Sequence, residues 1–437
     1  MNDAFVGTWR QQPRTGDELQ YDAAWAASAQ GRPLSLSLPF TPGNRPHRGP
    51  AVRAYFENLL PDSKDIRERV ARRFHTRSTD AFALLSETGR DCVGALRVLP
   101  DGQPPAPAGQ IEATPLSEAE VAQILRYTVA PAPPGSDPAV NDDFRISIAG
   151  AQEKAALLWW DGRWCRTRGT TPTSHIFKLP LGLVGNLKFD LSESVENEWL
   201  CSEILRAYGL PVAHAQPLQF EDMKVLAVER FDRAWWTDAQ GRRRLLRLPQ
   251  EDMCQATATP PHLRYEADGG PGVREIMKVL ATSVAPERDR HLFFQAQVLF
   301  WMLRATDGHA KNFSLFLREG GAYALTPLYD VISAYPIIGS GPNMLSPFKA
   351  RMAMAVRAKN PHWVMRDIRR RHWLETGAAH GVVSPDGSGV EAVIDALVAR
   401  TPEVIRSVRD RLPAGFPGRL AECVFGGMLA AADVLAG

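Results

Sequence analysis

The spacing of apolar positions divides this chain into three regions. In residues 141–235 they come as short runs, and 155–160, 175–179 and 224–229 read as strands by length and composition. One helix interrupts these runs: residues 192–208 place Val195, Trp199, Leu200, Ile204 and Leu205 on one face, and Gly209 and Pro211 stop it. From residue 250 onward the pattern is mainly helical, with a strongly apolar helix predicted over 288–304. Residues 1–100 form a separate N-terminal region with a strand-like run at 34–38 and a helix candidate at 80–85. Two Pro/Ala/Gly-rich stretches, 101–110 and 129–142, read as loops flanking a helix over 116–127. The expected division is therefore 1–140, 141–235 and 236–437.

A length of 437 residues suits roughly two or three domains, each with its own core. The 44% hydrophobic and 23% charged content is that of an ordinary globular protein, which argues against wholesale disorder. Residues 1–11 lack a basic start and an apolar run, and the tail 424–437 is short and rich in Gly and Ala, so a cytoplasmic protein is expected. Cys92, Cys165, Cys201, Cys254 and Cys423 form no Cys-x-x-Cys pair and are expected as reduced thiols in packed positions, without a zinc site. A net charge of +2 gives no global field that demands nucleic acid. Locally, residues 366–372 form a basic cluster that reads either as a solvated helix face or as a phosphate-contacting patch.

The chemistry concentrates in Asp307-Gly-His-Ala-Lys-Asn312 and in Asp330, eighteen positions beyond Asn312. Phosphoryl transfer needs a carboxylate beside the attacking hydroxyl, and an amide oxygen with a second carboxylate to hold Mg²⁺ against the triphosphate. Protein kinases carry these groups in the order Asp, four residues, Asn, then a later Asp, which Asp307, Asn312 and Asp330 repeat. The flanking words depart from the common signature. Ala305 and Thr306 precede Asp307 in place of His-Arg, and Val331 and Ile332 follow Asp330 in place of Phe-Gly.

A kinase also needs a phosphate cradle, a lysine and an adenine hinge. Residues 145–154 supply a cradle candidate, where Ala149, Gly150 and Ala151 leave backbone amides open to phosphate oxygens. No Walker motif occurs, which disfavours a P-loop NTPase. Alternation places Lys178 on the strand face opposite Phe177 and Leu179, where a lysine would reach the α/β-phosphates. The backbone groups of Glu229 and Phe231 close the last strand of this region as hinge candidates. Strands with one helix followed by a helical region is the order of a kinase small lobe and large lobe. The predicted fold class is α+β, a two-lobed kinase-like core behind a small N-terminal α+β domain.

The chain resembles the HipA-family serine/threonine kinases, the toxin half of the HipBA toxin–antitoxin pair, along nearly its whole length. The stretches that carry the likeness are 34–39, 58–63, 85–94, 144–154, 248–254, 268–272 and 305–314. The resemblance implies that Asp307 orients or deprotonates the substrate hydroxyl, that Asn312 and Asp330 hold Mg²⁺, and that Lys178 contacts the phosphates of ATP. It further implies that Ile148 and Ala149 lie along the nucleotide, that His309 approaches its phosphate or ribose, and that Glu229 and Phe231 form the hinge. Ser147 matches the serine this family autophosphorylates. A phosphoserine there adds about −1.5 to −2 charges beside the ATP phosphates and should expel the nucleotide. Read from its residues alone, Ser147 is better explained as a turn cap. A glutamate of the 192–208 helix, Glu196 or Glu198 with preference for Glu198, is the expected partner of Lys178.

The implied activity is that of a protein kinase toxin that phosphorylates an aminoacyl-tRNA synthetase, glutamyl-tRNA synthetase in the best-known members. The implied partners are a HipB-like helix-turn-helix antitoxin and, through it, operator DNA. Two alternatives stand beside this one: a small-molecule kinase using the same centre, since one fold hosts many substrates, and a chain acting mainly as a DNA-bound corepressor.

Overall fold

The computed structural model describes residues 1–2, 4–12, 16–103, 111–129, 149–150 and 152–437. Ser147 and Ile148, and most of the two loops expected at 101–110 and 129–142, lie outside the described residues. The chain divides into two compact units.

The first unit comprises residues 1–179, 218–262 and 314–323. Its N-terminal part is a three-stranded antiparallel sheet, Gly7–Gln12, Gly16–Tyr21 and His47–Arg48, with helices Pro50–Glu57, Lys64–Arg73 and Ala81–Thr88. Ser63 and Asp80 cap the last two by accepting from the amides of Ile66 and Ala83, which satisfies donors the helix itself leaves open. Leu19, Tyr21, Val52, Phe56, Leu84 and Leu85 share its core, and the Trp9 indole stacks on Phe56 at 3.8 Å.

The strand expected at 34–38 is absent; the segment is a turn. Its serines explain the outcome. Ser35 and Ser37 both donate to the Gln255 carbonyl, and the Tyr21 hydroxyl donates to the Leu38 carbonyl while accepting from the Leu34 amide. The Tyr21 hydroxyl, the Glu251 carboxylate accepting from the Leu36 amide, and the Ser35 hydroxyl accepting from the Ser37 amide take the backbone partners that a strand ladder would use.

The larger sheet of this unit runs Met223–Glu229, His175–Lys178, Lys154–Trp160, Arg163–Thr167 and Ala113–Pro115, with Ala215–Phe220 at its edge. Three of these are the strands read from apolar runs. Helix Glu118–Val129 lays Val121, Ile124 and Leu125 against Leu157, Phe177 and Val225 on one sheet face. On the other face Leu158 and Cys165 meet Leu245 from the hairpin Arg233–Thr237/Arg243–Arg247.

A buried ionic cluster ties the N-terminal part to this hairpin. The Asp91 carboxylate accepts from Arg230, Arg233 and Arg247 at 3.2, 2.9 and 3.0 Å, and from the Thr173 amide and hydroxyl. Asp232 accepts from Arg230 and from the Gly94 amide. Burial alone would raise the Asp91 carboxyl, but the three guanidinium groups outweigh it and hold the group well below the usual carboxylate range.

The second unit comprises residues 180–217, 263–313 and 324–437. It holds helices Ser194–Ala207, Val273–Leu280, Pro286–Met302, Arg370–Ala379, Val390–Arg409 and Gly418–Ala436, with the hairpin Arg351–Arg357/Pro361–Val364. Helix Ser194–Ala207 belongs to this helical unit and not to the strand-rich one that surrounds it in sequence. Glu196, Asn197, Glu198 and Ser202 are buried along with its apolar face, and Tyr208 bonds to Thr401 at 2.6 Å. Its polar positions are therefore interior groups with partners, which amphipathic spacing alone does not reveal.

No described helix is long and apolar enough to cross a membrane. Four of the five cysteines are buried, whereas Cys423 is exposed on helix Gly418–Ala436, contrary to the packed position expected for it.

Candidate active site

Helix Pro286–Met302 is buried along its C-terminal half, from Phe293 to Met302 apart from Gln295, and this anchors the loop that follows. Arg304 adopts φ +53°, the Ala305 amide donates back to Phe300 at 2.8 Å, and the chain turns sharply out of the helix. Gly308 is required here by space. A Cβ on it would sit 2.4 Å from the Phe300 ring, far inside contact distance. Asp307 itself projects outward, with its side chain 66% exposed.

Residues Ala310–Asn312 form a short 3₁₀ turn closed by Asn312. The Asn312 side chain is buried and faces two ways. Its Oδ1 accepts from the His309 amide at 3.2 Å, and its Nδ2 donates to the Asp330 carbonyl at 3.3 Å. The Tyr329 hydroxyl donates to the Lys311 carbonyl at 2.7 Å. These bonds bring the 307–312 loop and the 329–330 segment together, eighteen residues apart in sequence.

Asp330 has φ +61°, a left-handed conformation that a non-glycine residue holds only when its surroundings dictate it. Those surroundings are visible. The Ala334 amide donates to Arg304 at 3.0 Å, the Ser333 hydroxyl donates to Leu303 at 2.6 Å, and Asn197 bonds both the amide and the carbonyl of Ser333 at 2.8 Å. The helix Ser194–Ala207 thus fixes the segment that presents Asp330.

Around Asp307 the residues are aromatic and basic. The Tyr265 hydroxyl donates to its Oδ1, and His309 Nε2 lies 3.9 Å from the same oxygen. Tyr265 and His309 meet edge to face at 4.9 Å, and the Arg264 guanidinium lies 5.2 Å over the Tyr265 ring. Burial, reinforced by the Asp307 charge, pushes the Tyr265 phenol well above its ordinary value, so it remains a donor at neutral pH.

The donors fit Mg²⁺ in kind. Asp330 and Asn312 offer a carboxylate and an amide oxygen, both hard ligands. Among the described residues no group of three or more His, Cys, Asp or Glu gathers to cage a metal ion. Magnesium bound with a nucleotide needs no such cage, since one or two side chains suffice beside phosphates and water.

The nucleotide-side candidates lie in the first unit. Lys178 is buried in the central strand, with Lys154 directly across from it on one neighbour and Leu226 on the other. Lys154 donates to the Ala149 carbonyl at 2.8 Å, and the Gly150 carbonyl accepts from the Asp62 amide at 3.0 Å. Gly150 takes φ +113°, a conformation that residues with a side chain rarely adopt, whereas the 2.4 Å approach a Cβ would make to Lys154 Nζ could be relieved by the lysine's flexible end. Glu229 is exposed at the end of its strand, and Phe231 rests edge-on against Phe316.

Three residues of these sites carry no sequence-level assignment above. Tyr265 stands three residues before the Asp268-Gly-Gly-Pro-Gly272 stretch, Asn197 is a polar residue inside a helix face, and Lys154 ends the loop stretch 144–154. Only their neighbourhood to those motifs marks them. The basic cluster at 366–372 is largely engaged internally. Arg369 bonds the carbonyls of Arg366 and Ile368, and Arg370 pairs with Glu391 at 3.2 Å and Asp395 at 2.7 Å.

Known proteins resemble this chain along most of its length. Residues 146–405 match the family described as HipA-like C-terminal domain, and residues 1–99 match the HipA N-terminal domain. A putative kinase, Y4mE of Sinorhizobium fredii, is 33% identical over 357 residues, 80% of this chain and 80% of its own. The serine/threonine-protein kinase toxin HipA of Shewanella oneidensis is 26% identical over 355 residues, 77% of this chain and 73% of that one. Among solved structures, Shewanella oneidensis HipA in its complex with HipB and operator DNA aligns with a TM-score of 0.76 at 21% identity, covering 99% of this chain and 95% of that one. The α+β fold is that of HipA, and the chain belongs to the HipA family of serine/threonine-protein kinase toxins.

Proposed function

We propose that this kinase uses ATP and Mg²⁺ to phosphorylate a serine or threonine of an aminoacyl-tRNA synthetase, glutamyl-tRNA synthetase being the leading candidate, and so arrests translation in the cytoplasm. The observation that supports this reading most directly is the two-way Asn312 side chain, which joins the Asp307 loop to Asp330. The bound Mg²⁺ would neutralise charge on the transferring phosphoryl group. Asp307 orients the attacking hydroxyl or takes its proton. Asn312 and Asp330 hold the ion, and Lys178 holds the phosphates. Ala149 and Ile148 line the nucleotide, His309 contacts its phosphate or ribose, and Glu229 and Phe231 receive the adenine. The proposed small and large lobes of this centre remain 141–235 and 236–437 behind an N-terminal domain at 1–140, except that residues 180–217 group with the helical unit and 236–262 and 314–323 with the strand-rich one.

Autophosphorylation of Ser147 would switch the enzyme off by charge repulsion. A HipB-like antitoxin is the proposed partner, with the chain serving as its corepressor on operator DNA. The solved relative in complex with HipB and operator DNA supports that partner.

Phosphoproteomics after controlled expression tests activity, target and self-modification together. Wild type should label a synthetase and Ser147, and Asp307→Gln should label neither, because removing a positioned base costs about 10²- to 10⁴-fold. Label confined to small metabolites would select the small-molecule alternative. Loss of folding in Asp307→Gln would assign that residue a structural role instead.

A further inference from the structure

Every tryptophan among the exposed large hydrophobic side chains of the described residues lies on two neighbouring hairpins of the first unit. They are Trp159 on strand Lys154–Trp160, and Trp235 and Trp236 on strand Arg233–Thr237, each between 38% and 46% exposed. Trp160 and Trp235 stack at 5.1 Å with planes 27° apart. The Arg243 guanidinium lies 4.7 Å from the Trp235 ring and 5.1 Å from the Trp160 ring. Arg163 stands directly across from Trp160 in the sheet and so shares its face. Beneath them, Leu158, Cys165 and Leu245 form a small apolar core against which Trp160 packs. The Trp160 and Trp235 indoles are therefore held on a fixed base, whereas Trp159, adjacent on the strand, lies on the opposite sheet face against Trp164 at 4.7 Å.

The charge around them departs from the balance of the whole chain. Segments 159–168 and 233–247 hold eight arginines against two aspartates, while the full chain carries only +2. Arg233 and Arg247 are consumed by Asp91, and Arg242 and Arg244 lean on Asp238. Arg163 and Arg243 are exposed and form no ion pair with any described residue. Trp236 carries Arg244 at 5.8 Å, on the opposite face of its hairpin from Trp235.

We propose that this tryptophan–arginine surface binds single-stranded nucleic acid, with the Trp235 and Trp160 indoles stacking on bases and Arg243 and Arg163 contacting phosphates. An apolar protein partner would leave two desolvated, unpaired arginines at its centre, which is unfavourable. An acidic peptide would satisfy the arginines but offers no planar groups to the indoles. A single strand satisfies both, since every base has a face that stacks on an aromatic side chain. A duplex keeps those faces stacked on one another and out of reach.

The test titrates the full-length protein against fluorescein-labelled oligouridine and oligothymidine of about 12 nucleotides, a length within the usual range of single-strand sites. A duplex of equal length and oligoglutamate serve as comparators. Both single strands should bind, with a preference for oligouridine marking an RNA surface and equal affinity a generic single-strand surface. Trp235→Ala should weaken binding by roughly 5- to 100-fold, as loss of one stacking partner does. Arg243→Ala should lower the slope of log affinity against log salt by about 0.7, the share of one phosphate contact. Neither residue belongs to the proposed catalytic centre, so kinase activity should stay at the wild-type value, while loss of the Trp160–Trp235 stack should lower the melting temperature of Trp235→Ala by no more than a few degrees. Equal affinity for duplex or oligoglutamate, or wild-type binding by both variants, would overturn the proposal.

Discussion

The phenolic hydroxyl of Tyr265 donates to Oδ1 of Asp307, across 42 residues of sequence and within one structural unit. Among the described residues, the other side-chain neighbour of that oxygen is His309 Nε2 at 3.9 Å, and Asp307 stands largely in solvent. The phenol therefore fixes one carboxylate oxygen and leaves the other outside that bond, which is what the role proposed for Asp307 requires. Its pKa, raised chiefly by burial, keeps the proton on Tyr265 at neutral pH.

Tyr265→Phe should accordingly lower kcat by roughly tenfold, the scale of one hydrogen bond to a charged group. KM for ATP should stay unchanged, because the ring and its contacts with His309 and Arg264 remain. Steady-state kinetics with varied ATP separates the two constants. An unaltered kcat would show that Asp307 needs no orienting partner.

Asn197→Ala should act on the metal side. The variant leaves the amide and carbonyl of Ser333 without the partners they have now, inside a buried site, at about 1–3 kcal/mol. The strained Asp330 conformation depends on that segment. The concentration of Mg²⁺ giving half-maximal activity should therefore rise several-fold, alongside a lower melting temperature. Asn197→Asp, which retains the acceptor for the Ser333 amide, should recover part of the loss. A melting shift without any change in Mg²⁺ demand would make Asn197 purely structural.

These two positions mark the edge of what the chain discloses as a string. The strands at 154–160, 175–178 and 223–229 were legible because uninterrupted apolar runs have few other uses, and helix Pro286–Met302 because its apolar content is too long for a strand. Asp307, Asn312 and Asp330 stood out because they repeat the donor order of protein kinases, a pattern that the family likeness makes specific. Tyr265 and Asn197 have no such signature. Each works through a partner far away in sequence, and a tyrosine or an asparagine in isolation is an ordinary residue. Leu34-Ser-Leu-Ser-Leu38 misled for a related reason: its alternation is that of a strand, yet its serines bond to Gln255, more than two hundred residues away.

The Asp91 cluster predicts where stability resides in the first unit. Asp91→Asn removes the charge that three buried guanidinium groups share, and breaking a buried ionic network by deleting one partner costs about 3–5 kcal/mol. Urea unfolding followed by circular dichroism should show a lower midpoint with an unchanged slope. Replacing exposed Arg53, whose partner Glu57 sits 4.0 Å away, should shift it by less than about 1 kcal/mol.

Glu251 predicts a loss of stability toward alkaline pH. Its carboxyl lies wholly buried on strand Gln250–Asp252, accepting from the Leu36 amide at 2.8 Å. Burial pushes it up to about 8, against the lowering influence of Ser35 and Leu36 and with a small contribution from Asp252 in the same direction as burial. In the unfolded chain the same group titrates near 4.5. Between those values the folded state binds the extra proton, so stability must fall as pH rises, and the contribution is complete only below the unfolded value. Glu251→Gln keeps the shape, cannot ionise, and removes this term. Melting curves of the two proteins should run closest at pH 5, and at pH 9 the variant should melt a few degrees higher, the shift expected from about 1 kcal/mol or more in a unit of this size. Parallel curves across that range would mean that Glu251 is not the group whose proton folding retains.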